Sequence, residues 1–130
     1  MRLDLATLVV RDYDTAVEFF VGSLGFDLVE DSPAVTDTGS AKRWVVVRPA
    51  GSETGLLLAR AEGVAQAAVT GAQTGGRVAF FLRVDDFDAA HGRMIEAGVR
   101  FAEAPRDEPY GRVAVFSDCE GNRWDLIGPA

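Results

Sequence analysis

The sequence contains very few of the residues on which covalently linked or metal-bound folds depend. It has one cysteine, Cys119, and one histidine, His91, in 130 residues. A single cysteine rules out a disulfide within the chain, which is consistent with a reducing compartment. We therefore expect a cytoplasmic protein whose fold is held together by its apolar core.

Long apolar runs and an excess of basic residues are also missing. No stretch approaches the roughly 18 to 20 apolar residues that cross a bilayer. The start, Met1 to Asp4, carries an acid where the apolar part of a secretory signal would begin. The chain has 13 Lys and Arg against 20 Asp and Glu, a formal net charge of −7. Because this charge repels phosphate groups, we expect neither nucleic acid nor a membrane surface as a partner.

Length and composition are those of one ordinary globular domain. The chain is 48% hydrophobic and 25% charged, which separates it from disordered sequences. A chain of this length buries roughly two thirds of its unfolded surface. We expect a single domain over residues 1–130.

One supersecondary unit occurs twice in the sequence. The stretch Leu82–Ala90, LRVDDFDAA, repeats the pattern of Leu8–Ala16, LVVRDYDTA, when Val84 is aligned with Val10. A repeat of this length is a whole supersecondary unit rather than one turn of a solenoid. We expect module 1 over residues 1–61, a connection poor in large apolar residues over 62–76, and module 2 over 77–130.

Each module has the pattern of a strand, a helix and three further strands. Apolar residues at intervals of three and four after Asp12 predict a helix that packs on a sheet, and Gly25 is suited to end it. Asp12 or Asp14 can cap this helix, and Thr15 with Glu18 has the form of a capping box. The predicted strands are Leu3–Val10, Phe26–Asp31, Arg43–Arg48, Leu56–Ala59, Val78–Val84, Val99–Glu103, Arg112–Ser117 and Arg123–Ile127, with a second helix over Phe87–Ala97 and loops over Pro33–Ala41 and Pro105–Gly111.

This order of elements predicts an α+β fold. Hairpin-connected strands give mixed, mainly antiparallel sheets, and one helix per module covers only one face of each sheet. The other face is then left for a ligand or for another layer of the protein.

Two motifs in this framework resemble the vicinal oxygen chelate superfamily, which includes glyoxalase I, bleomycin-resistance proteins and extradiol dioxygenases. The first motif, D-x-x-x-A-x-x-F-[FY]-x-x-x-L-G-F, is carried by Asp12–Phe26. The second, F-x-D-x-x-G-N-x-x-[DE]-L, is carried by Phe116–Leu126. Together with the repeat, the likeness covers essentially the whole chain.

The resemblance implies two paired β-α-β-β-β modules that form a cup-shaped mixed sheet, with the helices outside and a ligand against the concave face. In the enzymes of the superfamily, His and Glu side chains at four strand positions hold a metal that chelates two neighbouring substrate oxygens. Since only one of the four corresponding residues is a metal ligand, we expect no conventional metal centre and assign no catalytic residue. Those positions are Leu5, Leu57, Ala79 and Asp125.

The two residues most often used in catalysis are placed poorly for it. His91 falls on a helix that should pack outside the cup, which favours a partly buried structural histidine over a metal ligand or base. Cys119 precedes the last strand and has no histidine nearby to lower its pKa. We expect an inert or merely oxidisable thiol.

Asp125 lies inside an apolar strand, where a lone carboxylate must be paired, hydrogen bonded or in contact with a wet cavity. One interpretation is a structural pair with an arginine such as Arg123, and the other is a ligand pocket with an acid, arginines and an aromatic wall. Tyr110 and Arg112 belong either to a clamp at the rim of the cup or to a solvated loop. Trp44 either lines the pocket or fills the core.

These observations favour a metal-independent protein that binds a small organic molecule, without a cofactor. Exposed sheet edges favour a homodimer. The charge of the ligand stays open, since Asp125 favours a cation while the arginines favour an anion. The alternative function is that of a lyase, isomerase or dioxygenase, in which Asp125 and substrate oxygens hold a divalent ion. The predicted ligand-binding residues are Leu5, Thr7, Leu57, Ala79, Phe81, Tyr110, Arg112 and Asp125.

Overall fold

The computed structural model describes residues 1–35 and 41–129, and the chain divides into two compact units, Met1–Gly71 and Ala72–Ala130. The boundary falls inside the segment that the sequence predicts to connect the two modules. Part of the predicted loop Pro33–Ala41 lies outside the described residues. No helix in the described parts of the chain combines the length and apolar character needed to span a bilayer.

The first unit contains four strands and two helices. The sheet has the order β1-β4-β3-β2, in which β1 runs parallel to β4 and the other neighbours are antiparallel. Helix α1 continues directly as a π-helical segment. The elements are β1 (Leu5–Val10), α1 (Tyr13–Val17) with its π-helical continuation (Glu18–Ser23), β2 (Asp27–Val35), β3 (Ala41–Arg48), β4 (Gly55–Arg60) and α2 (Gly63–Val69).

Helix α1 begins at one of the two N-caps that the sequence predicted, and it ends at the predicted glycine. Asp12 is the N-cap, and its carboxylate accepts hydrogen bonds from the backbone N–H and the hydroxyl of Thr15, both at 2.8 Å. The predicted capping box of Thr15 with Glu18 is therefore wrong, because Thr15 already lies in the first turn and donates to Asp12. Gly25 follows the last turn with a φ of 78°, a left-handed conformation that carries no Cβ penalty for glycine.

The second unit repeats this plan with one addition. Its sheet has the order β5-β9-β8-β6, with β5 parallel to β9, and the short strand β7 also pairs with β8. The predicted loop Pro105–Gly111 is therefore partly wrong, since three of its residues form β7. The elements are β5 (Val78–Arg83), α3 (Phe87–Glu96), β6 (Arg100–Phe101), β7 (Arg106–Glu108), β8 (Gly111–Ser117) and β9 (Arg123–Gly128).

One face of each sheet is covered by a helix of its own unit. In the first unit, the fully buried side chains of Leu8, Val45 and Leu58 lie on the face that carries α1. In the second unit, ring contacts lead from His91 in α3 to Phe101 and on to the β8 and β9 side chains of the same face. The predicted α+β class and the repeated β-α-β-β-β order are confirmed, with β7 as one additional strand in the second unit.

Candidate functional site

The opposite face of the second sheet carries one buried acid. We call this surface the α3-distal face. It is formed by alternate residues of β5, β8 and β9, and Asp125 on β9 lies between Phe81 of β5 and Val115 of β8. Asp125 is only 8% exposed, and its Oδ1 has no hydrogen-bond partner among the residues that the structure describes. A buried carboxylate oxygen without a donor is rare in folded proteins and is the most conspicuous polar feature of this unit.

The strand that presents Asp125 is positioned by the turn before it. Asp118 is 6% exposed, and its carboxylate accepts bonds from the backbone N–H groups of Glu120 and Asn122, from the Asn122 amide and from the Trp124 indole. Trp124 points to the α3 side, where its ring lies 4.6 Å from that of Phe80. Because neighbouring residues of a strand point to opposite faces, fixing Trp124 also directs Asp125 to the α3-distal face.

A cluster of charged residues lies beside Asp125. Arg106 on β7 pairs in register with Val113 of β8, which places it on the α3-distal face. Its guanidinium donates to Glu108 at 2.9 Å and also binds Glu103. These two glutamates, with a further contact from the Tyr110 hydroxyl, raise the pKa of Arg106 above its ordinary value. The cluster therefore contains a permanent cation that is already held by two anions.

Burial is the main influence on the proton affinity of Asp125. Loss of solvent raises the pKa of Asp125 above 3.8, and the negative charge of Glu103 raises it further, while Arg106 and Arg123 act in the opposite direction. No salt bridge joins Asp125 to an arginine in the described part of the chain, so the predicted structural Asp–Arg pair is not found. The carboxylate is thus desolvated without a direct counter-ion.

An exposed aromatic ring lies next to this acid. Phe81 is the register partner of Asp125 and is 65% exposed, although a phenylalanine is normally well buried. The register of β5 against β9 shifts between Val78 and Phe80, so Ala79 lies in a β-bulge at this point. Bulges of this kind often redirect side chains beside functional sites.

The predicted residues of the first unit share the face opposite α1. Thr7 of β1 pairs with Leu57 of β4. Leu5 lies two residues earlier along β1, on the same face, and pairs with Gly55. Trp44 belongs to the same face, since Val46 pairs with Leu57 and lies two residues further along β3. Trp44 is 40% exposed, so it does not fill the core.

Arg112 does not lie with Asp125. It points to the α3 side, where it pairs with Asp88 at 3.3 Å and lies 5.9 Å from the ring of Phe87. Its placement gives no support to a role beside Asp125. Tyr110 lies in the turn between β7 and β8 and is 57% exposed, which is compatible with the predicted rim position.

Sequence reasoning missed Arg106 and Glu103, which form the charged edge of the site. The segment PRDEPYGR carries Arg106, but its two prolines favoured a loop, and only a paired strand fixes which side chains share a face. No local signal marked this strand, because Arg106, Asp107 and Glu108 are all charged and lie between two prolines.

His91 and Cys119 occupy structural positions. The His91 ring stacks on Phe87 with centroids 5.6 Å apart and contacts Phe101 at 4.5 Å. These contacts agree with the expected partly buried histidine on the outer helix. Cys119 is half-buried in the turn that Asp118 organises.

The donor set does not fit the metal site of the superfamily's enzymes. Within residues 1–35 and 41–129, no three His, Cys, Asp or Glu side chains come together in a group that could hold a metal ion. Of the four positions, only Asp125 offers an oxygen, whereas a divalent ion needs several oxygen or nitrogen ligands.

The chain belongs to the Glyoxalase/Bleomycin resistance protein/Dioxygenase superfamily, whose family model matches residues 2–126. An uncharacterised protein of Shewanella frigidimarina is 49% identical to it over 121 residues, which cover 92% of this chain and 87% of that protein. The predicted family is thereby confirmed.

Solved structures agree with this assignment. TnmS3, an antibiotic binding protein from Streptomyces sp. CB03234, is 34% identical with a TM-score of 0.78, and the match covers 100% of this chain and 97% of that one. A glyoxalase/bleomycin resistance protein from the same organism is 35% identical with a TM-score of 0.73, covering 97% and 99% of the two chains. The fold of the chain is therefore that of the superfamily.

Proposed function

We propose that this protein binds a small organic molecule on the α3-distal face of its second unit, without a resident metal and without catalysing a metal-dependent reaction. The observation that carries the proposal is the buried Oδ1 of Asp125, which has no donor among the described residues. Leaving such a group unsatisfied costs roughly 1 to 3 kcal/mol. A ligand that donates a hydrogen bond at this point would recover that free energy.

Phe81 provides the apolar part of the proposed site. An exposed ring directly beside a buried acid supports a planar ligand that stacks on Phe81 and reaches Asp125 with a polar group. Stacking of two aromatic rings contributes about 0.5 to 1.5 kcal/mol beyond the area that it buries. Phe81 would therefore supply affinity through stacking, and Asp125 would orient the polar group of the ligand.

The comparisons support binding as the class of function. TnmS3 is an antibiotic binding protein, and its likeness to this chain extends over nearly the full length of both. That description applies to TnmS3 itself, and for this chain we propose only the same general activity. The superfamily also includes enzymes. The choice between binding and metal-dependent catalysis therefore depends on the residues that could ligate a metal.

The chemistry of those residues favours binding over metal-dependent catalysis. Leu5, Leu57 and Ala79 have no lone pairs to complete a coordination shell around an ion held by Asp125. The leading alternative, a lyase, isomerase or dioxygenase, would need every metal ligand other than Asp125 to come from the substrate. One carboxylate binds a divalent ion weakly, because hard cations take six or more oxygens.

The first unit presents a second group of residues that we propose as ligand contacts. Leu5, Thr7 and Leu57 share the face opposite α1, and half-exposed Trp44 extends that surface along β3. A large indole next to aliphatic side chains suits the apolar part of a drug-sized molecule.

The test is a screen of aromatic fragments by NMR on uniformly labelled protein. We expect hits to shift the backbone amides of Phe81, Asp125 and Val115. Phe81→Ala should weaken the hits about threefold to tenfold, as the loss of a ring stack predicts. Ile95→Ala removes another apolar side chain that is at least half exposed, on α3, and serves as the control. Fragments that shift other amides instead, or whose affinity is unchanged in Phe81→Ala, would refute the proposal.

We also propose that the protein is a cytoplasmic homodimer. Within their own sheets, β1 and β2 of the first unit and β5 of the second are edge strands, and edges of this kind favour symmetric association. Sedimentation at micromolar concentration should show twice the 13.9 kDa mass of the chain. A species of the single-chain mass would contradict the dimer, and cell fractionation tests the location.

A further inference from the structure

We propose that the ligand of this site is an aromatic molecule bearing a protonated amine, and that the ammonium group donates to the carboxylate of Asp125. This inference rests on the proposed function and specifies its ligand. From the sequence, the acid favoured a cation and the arginines favoured an anion. The structure favours a cationic ligand over an anionic one because it shows which charged side chains already have partners within the protein.

Two arginines near the second sheet are paired with carboxylates of the protein. Arg106 on the α3-distal face is bound by Glu103 and Glu108. Arg112 lies on the other face, where Asp88 is 3.3 Å and Asp107 is 3.6 Å away, although its buried Nε has no hydrogen-bond partner among the described residues. Arg83 and Arg123 also lie on the α3-distal face, but both are exposed to solvent. An anionic ligand at Arg106 or Arg112 would have to displace one of these carboxylates from its arginine, and the displaced carboxylate would then repel it.

Asp125 is the buried charge of this face that lacks a direct partner. The carboxylates of Glu103 and Glu108 are both held by the guanidinium of Arg106. Arg106 and Arg123 favour the ionised form of Asp125 and Glu103 opposes it, but none of the described residues donates a hydrogen bond to Oδ1 of Asp125. Arg123 is exposed, and its guanidinium also donates to the Gly76 carbonyl at 3.5 Å. A cationic ligand would therefore supply the partner that this carboxylate lacks.

Burial makes this unpaired carboxylate selective for a cation. Asp125 is more than nine-tenths buried, at 8% exposure, and a charge-assisted hydrogen bond in such a place is roughly twice as strong as a neutral one. A neutral hydroxyl could satisfy Oδ1 but would leave the carboxylate charge without a counter-ion. An ammonium satisfies both, and the ring that carries it would lie against Phe81.

The experiment uses three naphthalene probes of the same size and shape. They are 2-naphthylmethylammonium, 2-naphthylmethanol and 2-naphthoate, titrated at pH 7 into the full-length protein and followed by the amide resonances of Phe81 and Asp125. We expect the ammonium to bind at least tenfold more tightly than the alcohol, and the carboxylate to bind most weakly.

Asp125→Asn is the decisive variant because it keeps the shape of the side chain and removes its charge. The ammonium should lose about tenfold to a hundredfold in affinity, while the alcohol changes by less than about threefold. Asp107→Asn, on β7 but on the α3 side of the sheet, is the matched control and should leave the order of the three probes unchanged.

Each outcome has a distinct meaning. If the naphthoate binds as well as the ammonium, or the ammonium keeps its advantage in Asp125→Asn, the charge assignment is overturned while the binding function stands. If none of the three probes shifts the resonances of the α3-distal face up to its solubility limit, both the inference and the proposed site fail.

Discussion

Replacing Asp125 by asparagine should make the free protein more stable at neutral pH. Ionised Asp125 is buried without a donor for Oδ1, so the folded protein bears a desolvation cost that the unfolded chain does not. Asparagine has nearly the same shape and no charge. We expect the free energy of unfolding to rise by about 1 kcal/mol at pH 7. This is well below the full cost of a buried charge, because the asparagine amide also lacks some hydrogen-bond partners. For a chain of this size, that corresponds to a rise in melting temperature of about 4 °C.

The pH dependence of this gain follows from the direction of the pKa shift. Burial raises the pKa of Asp125 in the folded state above 3.8, so the folded protein holds this proton more tightly than the unfolded chain. The associated stability is present in full below about pH 3.8 and is lost as the pH rises through the folded-state pKa. The advantage of Asp125→Asn should therefore be large at pH 7 and disappear as the pH falls towards 4.

Asp118→Asn is the matched control, since Asp118 is equally buried but fully bonded. Its carboxylate accepts from two backbone N–H groups, the Asn122 amide and the Trp124 indole. An amide nitrogen in place of one oxygen would face these donors, and we expect a loss of about 2 to 3 kcal/mol. Urea melts of both variants at pH 4, 5.5 and 7 measure the effects. A destabilised Asp125→Asn at pH 7 would refute the view that this acid is unsatisfied.

Three further predictions concern other parts of the chain. His91→Ala should leave the binding of any probe intact and cost about 1 kcal/mol in thermal melts, because His91 contributes only its contacts with Phe87 and Phe101; a hundredfold loss of binding would contradict its structural role. Arg43→Lys should cost up to about 1 kcal/mol, since lysine cannot reproduce the two-pronged pair with Asp31 at 2.6 and 3.0 Å; an unchanged urea midpoint would show that this pair contributes nothing. Metal analysis should find no stoichiometric Ni, Zn, Fe, Mn or Mg, and a chelator should leave the melting temperature unchanged; one divalent ion per chain that is lost in Asp125→Asn would favour the enzyme alternative.

The sequence predicted the elements of this fold because each has a strong local signal. Asp12 and Gly25 mark the two ends of α1 through caps that depend only on nearby backbone groups. The repeat of the first strand and helix then predicted the second module. Strand β7 was missed because Pro105 and Pro109 bracket it, and its pairing with β8 is a contact that no local pattern encodes.

The sequence also singled out the acid of the candidate site but not its surroundings. Asp125 interrupts an apolar strand, and that alone marks it as unusual. The resemblance placed Arg112 at the rim of the cup, whereas strand alternation turns Arg112 towards α3 and brings Arg106 to the α3-distal face instead. The cup formed by the two modules stays a prediction.

By itself, then, the sequence determined the repeated α+β framework, the family and the missing metal ligands at Leu5, Leu57 and Ala79, because these depend on residue type and on neighbours along the chain. Only the tertiary structure decided that Arg106 is paired with Glu103 and Glu108, and Arg112 with Asp88, while Asp125 is left desolvated beside Phe81. The charge that a ligand encounters depends on which acidic and basic side chains of the protein lie within hydrogen-bond distance of each other. Strand register sets these distances, and the register depends on residues that are far apart in the sequence.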